Sequence, residues 1–254
     1  MVFSGESKPR MHRPVLLVLH QEHSTPGRVG HELRARGVPL DIRRPRFGDP
    51  LPKTLNDHTG AIVFGGPMSA NDSDEYIRVE TDWIGVPLAE KKPFLGICLG
   101  AQMLARHLKA GVDLHKGEAV EVGYYPIQPT KAGLEACEKW PSHVYQWHRE
   151  GFDLPSGATL LAKGDAFPHQ AFRYGPAAFG LQFHPEVTHA MMCVWTTRGH
   201  ARMSLPGAKS RTEHFRDRAV YDFAIRTWLS VFLDQWLTLD QSHPRESVSA
   251  VAAE

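Results

Sequence analysis

The chain has 254 residues, 42% of them hydrophobic and 22% charged, with a formal net charge of +1. That balance excludes a disordered chain and leaves enough apolar material for a full core, most simply in one domain over residues 13–240. The near-neutral charge offers no field to draw nucleic acid or an anionic surface, and no apolar run is long enough to span a bilayer, so neither partner is expected. Met1 to Arg13 is polar, without the apolar core of a leader, so the expected location is cytoplasmic. Residues 1–12 and 241–254 are polar and aperiodic and are expected to be mobile tails. Cys98, Cys137 and Cys193 are too few and too scattered for a disulfide framework or a zinc site.

From the N-terminus, Pro14 to His20 is a continuous apolar run ending in histidine, as in a strand covered on both faces. A helix from about Gly30 to Arg36 and a strand over Val38 to Ile42 follow. Ala61 to Phe64 is a third buried strand and stops at Gly65-Gly66-Pro67. Glu75 to Glu90 predicts one helix, leading to a strand over Lys92 to Ile97 and a helix over Ala101 to Leu108. This alternation predicts an α/β fold: an open, mostly parallel sheet with helices on both faces and sites at the carboxyl ends of the strands. After Gly111 shorter strands are expected at Ala119–Gln128, His143–Trp147, Thr159–Ala162, Gln170–Tyr174 and Ala178–Phe183, forming a smaller mixed or antiparallel sheet. One long helix over about 211–237 closes the chain, with Phe215, Ala219, Phe223, Trp228, Phe232 and Trp236 as its core-facing stripe.

Gly96-Ile97-Cys98-Leu99-Gly100 places a cysteine at the turn from a buried strand into a helix. Such a turn strains the nucleophile's backbone and requires small neighbours, and it aims the first free N–H groups of the helix at the sulfur, favouring thiolate. A cysteine nucleophile needs a base and a group that orients the base. Gly180 to Glu186 supplies both, since strand alternation lets His184 and Glu186 share one face. The spacing of His184, Glu186 and His189 does not suit zinc, and no metal or cofactor is expected.

Gly65-Gly66-Pro67, Gly96-Ile97-Cys98-Leu99-Gly100-Ala101-Gln102 and Gln182-Phe183-His184-Pro185-Glu186-Val187, in this order, closely resemble the class I glutamine amidotransferase family over roughly residues 13–190. The last motif is similar to that of the glutaminase domain of GMP synthases. The resemblance implies a flavodoxin-like fold and a Cys98-His184-Glu186 triad that hydrolyses a glutamine side-chain amide through a thioester. It implies an oxyanion site made by the N–H of Leu99 and that of Gly66 or Met68, Pro67 having none. It also assigns Gln102 to the substrate and matches Gln146 to Glu150, with His148 and Arg149, to the loop that binds the amino-acid end of glutamine. Many relatives have glycine where this chain has Arg149, so the pocket is expected to differ there.

Family members pass ammonia to a synthetase, and no phosphate-binding loop for one exists in this chain. The implied partner is a separate synthetase subunit; the candidate interface is the basic stretch from Arg198 to Arg218, which reads more simply as an ordinary basic surface loop. Two other readings stand beside it. One is hydrolysis of γ-glutamyl peptides, as in γ-glutamyl peptidases, which the Trp147-His148-Arg149 loop resembles. The other is a non-enzymatic regulatory module, which the intact triad disfavours.

Overall fold

The computed structural model describes residues 13–240, so the two expected tails lie outside the described residues. Strand β1 (Val15–Val18) leads through helix α1 (Gly27–Ala35) to β2 (Leu40–Arg43) and then β3 (Gly60–Val63). Helices α2 (Glu75–Trp83) and α3 (Gly85–Ala89) precede β4 (Phe94–Ile97) and α4 (Leu99–His107). The next segments are β5 (Val112–Leu114), β6 (Glu121–Pro126), β7 (Gln128–Pro129), α5 (Lys131–Ala136), β8 (His143–His148) and β9 (Glu150–Phe152). Strands β10 (Ala158–Lys163), β11 (Ala171–Tyr174) and β12 (Ala178–Leu181) are followed by α6 (His189–Arg198) and α7 (Arg211–Leu237).

Eight strands form one sheet in the order β2-β1-β3-β4-β12-β11-β10-β7. The first five run parallel and the remaining pairs antiparallel. The antiparallel region therefore divides: β10 and β11 extend the main sheet, while β5 with β9 and β6 with β8 form two separate ribbons. Alternation along the buried strands sends Leu17, Ile62 and Leu95 to one face, where Val29 and Leu33 of α1 and Trp228, Phe232 and Trp236 of α7 cover them. Leu16, Val63 and Phe94 face the other way, against Ile77 and Trp83 of α2 and Leu99 and Met103 of α4.

Three expectations need correction. The helix expected over Glu75 to Glu90 breaks at Ile84, because Pro87 has no N–H to return to the carbonyl of Trp83 and Gly85 weakens the segment further. The chain after Glu186 makes two helices, because the Thr188 hydroxyl caps α6 by accepting the Met191 N–H at 3.2 Å. In α7, Phe223 is 80% exposed and Ala219 also faces outward, while Ile225, Leu229 and Leu233 complete the buried stripe. Each four-residue step turns about 40° too far round the helix, so the two steps from Phe215 through Ala219 to Phe223 carry the last residue out of the core-facing stripe.

Gly100 packs α4 directly on β3: a Cβ there would lie 2.1 Å from the Val63 carbonyl oxygen. Gly100→Ala is expected to cost about 3 kcal/mol by overpacking, read as a lower denaturant midpoint with unchanged slope.

Candidate active site

Cys98 joins β4 to α4 with φ 49° and ψ −103°, a conformation that costs an L-residue energy and needs support from its surroundings. The support is local. The Cys98 N–H donates to the Leu181 carbonyl at 2.7 Å, and a Cβ on Gly96 would meet the Gly100 carbonyl oxygen at 2.4 Å, so only glycine lets strand and helix close this tightly. At the first position of α4, Leu99 has an N–H without an intrahelical acceptor, available beside the sulfur.

Strand β12 lies parallel to β4 with Leu181 opposite Ile97, so the chain leaving β12 emerges at the same edge as the cysteine. That register brings His184 and Glu186 to Cys98 from far along the sequence. His184 Nδ1 and Glu186 Oε1 are 2.7 Å apart, both side chains are buried, and Trp195 stands edge-on to the imidazole at 4.9 Å between ring centroids. Burial works against a charged ring, but the facing Glu186 carboxylate and the neighbouring Cys98 outweigh it and push the His184 pKa up to about 10.

The Gly65-Gly66-Pro67 turn after β3 presses on this pair. A Cβ on Gly65 would fall 2.7 Å from the imidazole Cε1, and one on Gly66 would sit 3.1 Å from both Leu99 and His20. His20 was visible only as the polar end of the first apolar run. It is fully buried, with Nδ1 3.3 Å from the Gly65 carbonyl oxygen and Nε2 2.6 Å from Glu80 of α2. Arg28 is a second residue with no signal in the sequence. Its backbone N–H donates to the Glu186 carbonyl at 2.8 Å, and its guanidinium donates to the Pro185 carbonyl and in two bonds to Asp222 of α7, at 2.7 and 2.8 Å.

Gln102 of α4 is buried and donates through Nε2 to the Glu150 carbonyl at 2.9 Å, tying the helix to the loop after β8. Glu150 in turn accepts from the Ser69 hydroxyl at 3.0 Å. His148 lies at the site, but its ring is engaged at both nitrogens, by Glu121 and by the Glu150 carbonyl at 2.9 Å each. Gln170 joins Glu121 at 2.9 Å, making a buried polar floor beneath the loop. Arg149 is exposed at the rim.

Two spaces meet here. A small one of about 30 Å³ is bordered by Cys98, Gln102, Arg149, Glu150 and Met68. A large one of about 770 Å³ is bordered by His184 and Glu186, and Gly66, Pro67, Trp147 and Arg202 border both. The basic stretch from Arg198 to Arg218 is not one patch: Arg216 pairs with Asp217, Arg218 with Asp222, and only Arg198 and Arg202 of it face the large space.

The pattern of the glutamine amidotransferase class-I family matches residues 18–192. The chain belongs to this family. It is 31% identical over 183 residues to YfeJ, a glutamine amidotransferase-like protein of Salmonella typhimurium, covering 68% of this chain and 76% of that one. To a GMP synthase of Neisseria meningitidis it is 32% identical over 136 residues, 51% of this chain, and it spans only 25% of that enzyme's length. The fold agrees with that of a glutamine amidotransferase from Methylobacillus flagellatus, with a TM-score of 0.84 and 26% identity over 90% of this chain and 95% of the other. A glutamine amidotransferase from Thermotoga maritima gives 0.80 and 28% over 89% and 98%. Among the described residues no three His, Cys, Asp or Glu side chains gather as a metal site, and no helix is long and apolar enough to cross a membrane.

A raised His184 pKa means that the charged ring contributes stability in full below its ordinary 6.5, a contribution lost as the pH climbs through about 10. Glu186→Gln removes the main force that raises it. The NMR titration of the His184 ring is expected to move to lower pH in that variant, and the loss of stability on the alkaline side is expected to begin earlier.

Proposed function

We propose that this chain hydrolyses the γ-amide of a glutamyl substrate, of which glutamine is the smallest, through a thioester on Cys98. One observation carries the reading: a cysteine in a strained strand-to-helix turn stands beside an imidazole whose other side is held by a buried carboxylate at 2.7 Å. In this mechanism the Cys98 sulfur attacks the γ-carbonyl carbon. The developing oxyanion is received by the N–H of Leu99 and by that of Gly66 or Met68, each such donor being worth about 3 kcal/mol in the transition state. His184 gives its proton to the departing nitrogen and then takes one from the water that opens the thioester, while Glu186 keeps the ring oriented.

Gln102, Arg149 and the backbone from His148 to Glu150 receive the amino-acid end of the glutamyl group. Here Arg149 supplies a charge for the α-carboxylate at the place where many relatives have glycine, and the Glu150 carboxylate stands ready for the α-amino group. Where glutamine is the substrate, the ammonia acceptor is a synthetase working with this chain in the cytoplasm, by analogy with the GMP synthases it is similar to.

6-Diazo-5-oxo-norleucine, a glutamine analogue that alkylates cysteine nucleophiles, is expected to add once per chain, on the peptide holding Cys98, and excess glutamine should protect against it. Mass spectrometry finding no adduct there, with the protein folded, overturns the reading. Cys98→Ser is expected to fold normally and to lower amide hydrolysis by at least a thousandfold.

A further inference from the structure

We infer that the large cavity beside His184 holds the leaving half of the substrate, and that the preferred substrates are γ-glutamyl amides of amino acids with apolar side chains, not glutamine. The inference rests on the assignment of Cys98 as nucleophile and adds the identity of the amine that departs.

The two catalytic groups open onto different spaces. Cys98 borders the small one and His184 the large one. An amide with its carbonyl carbon at the sulfur and its nitrogen at the imidazole therefore straddles the junction, and its amine half extends into the large cavity that His184 borders. Ammonia would fill roughly the 30 Å³ of a water molecule. The cavity offers about 770 Å³, within the range of about 300–1,000 Å³ that holds whole organic ligands.

The walls say which amine. Leu19, Phe64, Met191, Val194 and Trp195 make one side apolar. The cations lie close by, Arg198 one helical turn beyond Val194 and Trp195. A Cβ on Gly199 would fall 2.6 Å from the Trp147 ring, so the turn carrying Arg198 and Arg202 is packed against a residue that borders both spaces, and Arg202 itself borders both. Among the described residues neither arginine takes part in an ion pair. An α-amino acid bears its carboxylate on the carbon next to the scissile nitrogen, so the carboxylate must sit close to the junction, where Arg202 stands. Its side chain then points along the apolar wall.

In the reaction the Sγ–C bond forms as the C–N bond breaks. The nitrogen keeps the bonding pair and takes a proton from His184. Water then adds to the thioester carbon as the C–S bond breaks, giving glutamate and the free amino acid, and the thiol regains its proton through His184. Nothing is oxidised or reduced.

The test compares kcat/KM of the purified protein for glutamine, γ-glutamylglycine, γ-glutamylphenylalanine and γ-glutamylphenethylamine, which share one acyl group. γ-Glutamylphenylalanine is expected to exceed glutamine and the carboxylate-free phenethylamide by at least tenfold each. Val194→Trp, which fills the apolar wall, should lower the phenylalanine-to-glutamine ratio at least tenfold, and Arg202→Gln should erase the preference for the acid over the phenethylamide. Glutamine turned over as fast as or faster than every larger amide overturns the inference while leaving the thioester reading intact. So does a protein that 6-diazo-5-oxo-norleucine labels on Cys98 but that is inert to all four amides, because the cavity would then be the seat of a partner protein. Absence of the Cys98 adduct is the distinct result that removes the nucleophile itself.

Discussion

The parallel pairing of β4 with β12 is the constraint on which everything else depends. Ile97 lies opposite Leu181, and the next residue, Cys98, donates its N–H to the Leu181 carbonyl at 2.7 Å. Strands adjacent and parallel end at the same edge, so the residue that turns into a helix after one and the residues that leave the other are neighbours by construction. A register slip of one residue would invert every side chain of β12 and carry His184 away from the sulfur. The strained φ of Cys98 is held by the same bond, together with the contact of Gly96 on Gly100. Strain, register and chemistry are thus one arrangement seen at three scales.

Around that edge the protein uses buried polar pairs to fix positions. His20 with Glu80, His148 with Glu121 and Arg28 with Asp222 are each largely removed from water, and each supports a loop of the site and not the core. A buried ion pair such as Arg28 with Asp222 gains little net stability over apolar packing, though losing one partner costs about 3–5 kcal/mol. Their use here is orientation. In a trans peptide the C=O and the following N–H point in opposite directions, so His20 lying against the Gly65 carbonyl turns the Gly66 N–H away from it. Arg28 works on the other flank, where it joins the carbonyls of Pro185 and Glu186 to α7.

What could be read in advance follows from range. The runs that became β1, β3 and β4 are buried on both faces and therefore continuous in apolar residues. The Cys98 turn announces itself because its glycines must be adjacent in sequence. His184 and Glu186 stand together as expected but not by strand alternation, since β12 ends at Leu181 and both lie in the turn beyond it. The supporting pairs were not legible: Arg28 and Asp222 lie in helices far apart in the chain, and neither helix marks its partner. Three-residue strands such as β5 and β9 are too short for any period to show. The break before α3 hung on Pro87 and Gly85 within an otherwise helical pattern, and Phe223 looked like core only because it continues the four-residue steps from Phe215 and Ala219.

The two halves of the cleft differ in how sharply each can discriminate. On the Cys98 side, Gln102, Glu150, Ser69, His148 and Glu121 are bonded to one another around a small space. Paired with one another, these groups hold fixed positions before any ligand arrives. On the His184 side the wall of Leu19, Phe64, Met191, Val194 and Trp195 can only count carbon, and each methylene buried there is worth about 1 kcal/mol. A cleft of this kind is fixed in shape on one side and graded on the other. On the substrate assignment proposed above, glutamine and every γ-glutamyl amide share the acyl half, so selection among them falls to the large cavity, whose apolar wall would rank amines by size and whose arginines would add a sharper criterion, the presence of a carboxylate.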